Sequence, residues 1–183
     1  LTLDLAKQFL EQKNEIRKRF LDFDWTKLKG ERLRVHGDYH LGQILVKDHD
    51  FYILDFEGEP ESTIRDRKVK QPPLKDVAGL FRSFHYAIYA TIFNNGDNYP
   101  QEMETLFEAG ELLYRYFIGV FLETYTQTIQ HANINIGYNQ ERTYVLKYSM
   151  LEKAVYELGY EMNARPLWAV IPLEGIASIM KLD

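Results

Sequence analysis

The stretch RVHGDYHLGQILVKDHDFYILDFEGEP, Arg34 to Pro60, sets histidines, acids and an amide into a segment otherwise patterned as short strands. RLRV ending at Val35, QILV over residues 43–46 and FYIL over residues 51–54 read as short β-like pieces, and Lys47-Asp48-His49-Asp50 joins the last two as a hairpin would. The polar groups gather at the strand ends. His36-Gly37-Asp38 ends the first piece, Gln43 stands five positions after Asp38, and Asp55 closes the third. A carboxylate in a loop can take a hydroxyl proton, and a second carboxylate with an amide oxygen makes a hard-oxygen pair suited to Mg²⁺. An acid base, a carboxamide five residues on and an Asp-Phe after a hairpin is the order used by kinases for phosphoryl transfer. Gly37 permits a tight bend before Asp38, and His36 is placed to hold the loop.

Outside this stretch the pattern is helical. Leu5, Phe9, Leu10, Ile16, Phe20 and Leu21 recur at helical spacing before Gly30. After the loop GEPESTIRDRKVKQPP, apolar stripes predict helices over 74–93, 100–129 and 140–164, and Pro172 opens a last short helix through Met180. The fold class expected is α+β, mostly α, with one small hairpin that carries the chemistry. In these terms 34–46 is a catalytic loop, 51–60 a metal-binding segment and 74–183 a helical body, whose acceptor-binding role is implied only by a family resemblance.

Composition narrows the alternatives. A chain of 183 residues buries a real core, and its formal charge of −5 gives no basic field for nucleic acid, the local run Arg65, Arg67, Lys68, Lys70 reading as a solvated loop face. Zero cysteines fit a reducing compartment, so the cytoplasm is the expected location. The most apolar segment, VAGLFRSFHYAIYATIF, is interrupted by Arg82 and His85, so no membrane span is expected. The chain starts at Leu1 with neither Met nor a leader, which reads as a cut inside a longer protein.

HGDYHLGQIL and ILDFEGEP resemble the H-G-D-x-x-x-x-N and D-F-E signature of aminoglycoside-phosphotransferase-like kinases, in the Gln-bearing version of bacterial maltokinases. PLKDVAGLFRSFHYA (73–87) and EKAVYELGYEMNARPLWAVIPLEGI (152–176) are similar to later maltokinase segments in the same order. The resemblance implies the C-terminal lobe of a protein-kinase-like fold and ATP-dependent phosphorylation of maltose to maltose 1-phosphate, with Mg²⁺ as cofactor and often with a fused trehalose synthase. Gln43 and Glu57 depart from the protein-kinase pattern, standing where Asn and Gly would be. The eleven glycines contain no G-x-G, so the nucleotide-binding N-terminal lobe is expected to be absent and the isolated piece to be inactive.

Further candidates concern the acceptor. His40, alternate with Asp38, is placed to meet sugar hydroxyls, with a solvent-facing loop histidine as its alternative, Glu57 to take a second metal or a sugar hydroxyl, and Arg82 to steady a carboxylate, with a structural ion pair as its ordinary alternative. Tyr156, Glu157, Tyr160 and Trp168 combine aromatic faces with acids, a natural sugar platform, although such a stripe is more often core. Two other classes compete. His36, Asp38, His40 and Asp55 read as a four-ligand set would give a metal-dependent hydrolase, and a helical lobe without a nucleotide partner could be a non-catalytic interaction module.

Overall fold

Long apolar stripes make long helices here because each stripe has another to bury against. The computed structural model describes residues 2–59, 62–96 and 101–181. Its elements are α1 (Thr2–Leu21), the strands β1 (Ile44–Lys47) and β2 (Asp50–Ile53), then α2 (Ile64–Lys68), α3 (Leu74–Asn95), α4 (Met103–His131), α5 (Asn139–Ala164) and α6 (Val170–Met180). α3 and α5 form the central pair. α6 lies across them and against α1, with Ile171, Ile176 and Ile179 buried, while α4 covers the other side of α3. The core joins Leu74, Val77 and Phe81 of α3 to Leu151, Ala154 and Leu158 of α5. Stacked Phe23 and Tyr144, centroids 4.5 Å apart, tie the end of α1 to α5. No described helix is long and apolar enough to cross a membrane.

β1 and β2 pair antiparallel from Ile44 opposite Ile53 to Lys47 opposite Asp50. Asp48 and His49 make the two-residue turn at φ of 53° and 65°, the doubly left-handed geometry that matches strand twist. The expected hairpin is therefore present, with each strand shifted by one residue. The expected first strand is not: RLRV makes only an isolated bridge between Leu33 and Gln71 and does not join the two-stranded sheet. α4 begins at Met103, and Pro100 of the expected helix lies outside the described residues. The last helix starts before Pro172, since a 3₁₀ turn, Pro166–Ala169, runs directly into Val170. The Arg65–Lys68 part of the basic run forms the short α2, capped by Thr63, whose hydroxyl accepts the N–H of Asp66.

Candidate active site

The loop from His36 to Gln43 hangs from α3. The Asp76 carboxylate accepts the backbone N–H of His36 at 2.7 Å and of Gly37 at 2.9 Å, and Ser83 Oγ accepts that of Leu41 at 3.0 Å. Burial pushes the Asp76 carboxyl above the usual range, and the two N–H donors pull the other way without cancelling it. Gly37 sits at φ 88°, where a side chain would be strained, and an added Cβ would lie 3.2 Å from Gly58 Cα. The loop and the segment after β2 thus touch backbone to backbone.

His36 is buried and works as a strut. Its Nε2 lies 2.6 Å from the carbonyl of Leu54, which can only accept, so this nitrogen carries the proton; Nδ1 accepts the N–H of Asp38 at 3.3 Å. The ring so joins the proposed base to the end of β2. Both nitrogens being spent on backbone, His36 is not placed as a metal ligand. Among the described residues no group of three or more His, Asp or Glu side chains comes together to hold a metal, which corrects the four-ligand hydrolase set of His36, Asp38, His40 and Asp55.

Asp38 faces a cavity of about 430 Å³ between the loop, the Gly58–Glu59 segment, α3 and α5. Its Oδ1 lies 3.1 Å from Lys153 Nζ, and its Oδ2 faces His40 Nε2 at 3.7 Å. His40 Nδ1 accepts the N–H of Gly42, capping the 3₁₀ turn Leu41–Gln43, so the nitrogen turned to Asp38 bears the proton. Gln43 follows in that turn, and its amide nitrogen donates to Asp55 Oδ2 at 3.2 Å. An amide that donates through nitrogen leaves its carbonyl oxygen for a cation. Asp55 itself is held at φ 57°, left-handed for a non-glycine residue, a strain of a kind that gathers at functional sites. Hard oxygens from one amide and one carboxylate fit Mg²⁺, which takes few protein ligands and completes its shell with phosphates and water.

The acceptor candidates separate. Tyr156 lines the cavity, its hydroxyl 3.1 Å from Glu59 Oε1. Arg82 is 1% exposed and donates through Nε and a terminal nitrogen to Glu157 Oε2, at 3.1 and 2.6 Å, so these two candidates hold each other and tie α3 to α5. Tyr160 lies on an open depression with Gly159 and Asn163. Trp168 stacks on Tyr86 at 5.9 Å under the Arg165 guanidinium. Glu57 is exposed beside Phe56, whose ring lies 5.0 Å from that of His36.

Sequence reading missed three residues. Glu59 stood in the quoted stretch but had no assigned role. Asp76 carried a signal, as the one acid in the first turn of an apolar helix. Lys153 stands three positions before Tyr156, on one helix face with it, and its ammonium lies 5.1 Å from that ring.

No protein-family model matches the chain. In sequence it is 27% identical over 138 residues to the glucosamine kinase of Streptacidiphilus jiangxiensis, covering 75% of this chain and 29% of that protein. To the glucosamine kinase of Mycolicibacterium smegmatis it is 25% identical over 149 residues, 81% of this chain and 34% of the other. In structure it matches glucosamine kinase in complex with glucosamine, ADP and inorganic phosphate with a TM-score of 0.73 at 22% identity, over 96% of this chain and 42% of that one. Another crystal form of glucosamine kinase gives 0.74, over 97% and 40%. The fold is therefore one found within kinase chains. The solved structures named above are of glucosamine kinase, of which this chain spans well under half. These likenesses fit the expected resemblance at the level of sugar kinases and do not single out maltokinases.

Proposed function

We propose that this chain is the catalytic and acceptor-binding lobe of a sugar kinase that transfers the γ-phosphoryl group of ATP to a sugar hydroxyl. The observation that carries the reading is the pairing of Asp38, at the cavity wall, with the Gln43–Asp55 contact on the hairpin that His36 fixes to the same loop. Asp38 Oδ2 takes no hydrogen bond from the described residues and is the oxygen that receives the acceptor O–H proton as that oxygen attacks phosphorus and ADP leaves. Gln43 and Asp55 would hold Mg²⁺, which when bound offsets charge on the phosphates. The sequence relatives and the shared fold support the class.

Maltose, phosphorylated on its anomeric hydroxyl to maltose 1-phosphate, is the acceptor we favour, on the resemblance of residues 34–60, 73–87 and 152–176. Glucosamine is the second reading, favoured by the names of the relatives. An upstream lobe gripping the nucleotide belongs to the same proposal. Val46, Phe51 and Phe56 on the hairpin side are each more than half exposed, an apolar surface suited to such a partner. ADP release by the full-length protein with maltose, glucose and glucosamine tests this. Maltose is expected to be the best acceptor; turnover of glucosamine alone would replace the acceptor, and no turnover with any sugar would remove the kinase reading.

A further inference from the structure

Lys153 places a positive charge of the protein's own inside the acceptor cavity. Its Nζ lies 3.1 Å from Asp38 Oδ1 and 3.0 Å from Glu59 Oε2, while Tyr156 OH engages the other oxygen of Glu59. Burial works against the ammonium, but Asp38 and Glu59 outweigh it and hold the Lys153 pKa above the ordinary lysine value, so the charge is present at neutral pH. The other acids on this part of α5 are committed as well. Glu152 pairs with Lys75 at 3.5 Å, Glu157 with Arg82 at 2.6 Å, and Glu161 with Arg165 at 2.6 Å. The carboxylates that α5 and the Glu59 segment bring to this region thus each have a cation from the protein itself.

This has two consequences for an acceptor. Lys153 fixes one oxygen of Asp38 and leaves the other, 3.7 Å from His40 Nε2, without a hydrogen bond from the described residues, so that a hydroxyl can use it. An acceptor bearing its own ammonium meets a like charge beside Asp38 and must compete with Lys153 for Glu59, whereas a neutral sugar meets hydrogen-bonding groups without that repulsion.

We propose that Lys153 is a specificity-determining residue of this site, an internal cation that positions Asp38 and discriminates against amino sugars in favour of neutral ones. The proposal rests on the sugar-kinase reading above and adds to it which charge of acceptor the cavity admits.

The test uses the full-length protein with maltose as substrate and compares inhibition by glucosamine and by glucose, which differ by an amino group in place of a hydroxyl. In Lys153→Met the glucosamine-to-glucose inhibition ratio should rise by about tenfold, the size of one close charge contact in a partly screened site. Lys153→Arg, which keeps the cation, should restore discrimination, and Glu59→Gln, which removes a negative charge, should move the ratio the opposite way. A residue that merely supported the fold would weaken both sugars alike, so an unchanged ratio in folded Lys153→Met overturns the proposal while maltose turnover by the wild type still upholds the kinase. If the wild type phosphorylates no sugar, the reading itself fails and the proposal goes with it. Melting curves of the variants establish that each is folded.

Discussion

Asp76 accepts the backbone N–H of His36 at 2.7 Å, a bond between the first turn of α3 and the start of the loop that carries Asp38, spanning forty positions of sequence. Because the same carboxylate takes the N–H of Gly37, it sets the direction in which the chain delivers Asp38. Asn at this position offers one acceptor oxygen for two donors. Asp76→Asn should therefore cost about 1 to 3 kcal/mol of stability. The cost depends on pH with a definite sign. Burial raises the native Asp76 pKa, so the folded protein binds this proton more tightly than the unfolded chain does. The linked stability is complete below about pH 4 and is lost as pH rises through the raised value. The gap in melting temperature between wild type and Asp76→Asn should accordingly narrow between pH 4 and pH 7. A gap that widens would show that burial does not dominate at this carboxylate.

The two acids of the proposed chemistry should fail differently. Asp38→Asn removes the proton acceptor and should lower turnover of the full-length enzyme by about 10²- to 10⁴-fold with nucleotide affinity nearly kept. Asp55→Asn should also weaken Mg·ATP binding, measured by titration. Near-normal turnover in Asp38→Asn would remove it from the mechanism.

Tyr156 and Trp168 are both aromatic and close in sequence, yet only the first lines the cavity. Tyr156→Phe should raise the KM for the sugar and leave that for ATP alone. Trp168→Ala should instead show mainly as a lower melting temperature, since its ring is stacked on Tyr86. Sugar kinetics that respond to Trp168 and ignore Tyr156 would relocate the pocket.

Gly175 on α6 faces the guanidinium of Arg82, and a methyl group there would occupy its position. Gly175→Ala should force Arg82 off Glu157 and cost about 3 kcal/mol or more, because a buried ion is left unpaired. Urea unfolding measures this; a loss under about 1 kcal/mol would mean that Arg82 relaxes without cost.

The hairpin turn pairs two non-glycine residues in left-handed geometry, Asp48 and His49. Replacing them by Asn-Gly should stabilise the hairpin by about 1 kcal/mol. Slower amide exchange in Ile44–Lys47 and Asp50–Ile53 is the expected sign, and unchanged exchange would show that the turn does not limit its opening.

Much of this protein follows from local sequence alone. The helices α1, α3, α4 and α5 are written in apolar repeats that any chain must bury, and the hairpin in two short apolar runs around a turn, so their existence is fixed by period and spacing. The Asp38, Gln43 and Asp55 offsets are equally local, because a single hairpin carries the last two and the loop just before it the first. RLRV did not become a strand: its apolar and β-branched residues do not determine where the chain lies, and the fold sets it beside Gln71 for one bridge and not along the hairpin. What the tertiary structure alone decided is charge placement. Lys153 meets Asp38 across 115 positions, and Arg82 meets Glu157 across 75. Neither contact leaves a trace in periodicity, since an ion pair requires only that two helices bring opposite charges within a few ångströms, and many registers of a helical stripe bury its apolar face equally well. The packing of α3 against α5 selects one such register, and with it a cavity in which Lys153 stands against both Asp38 and Glu59.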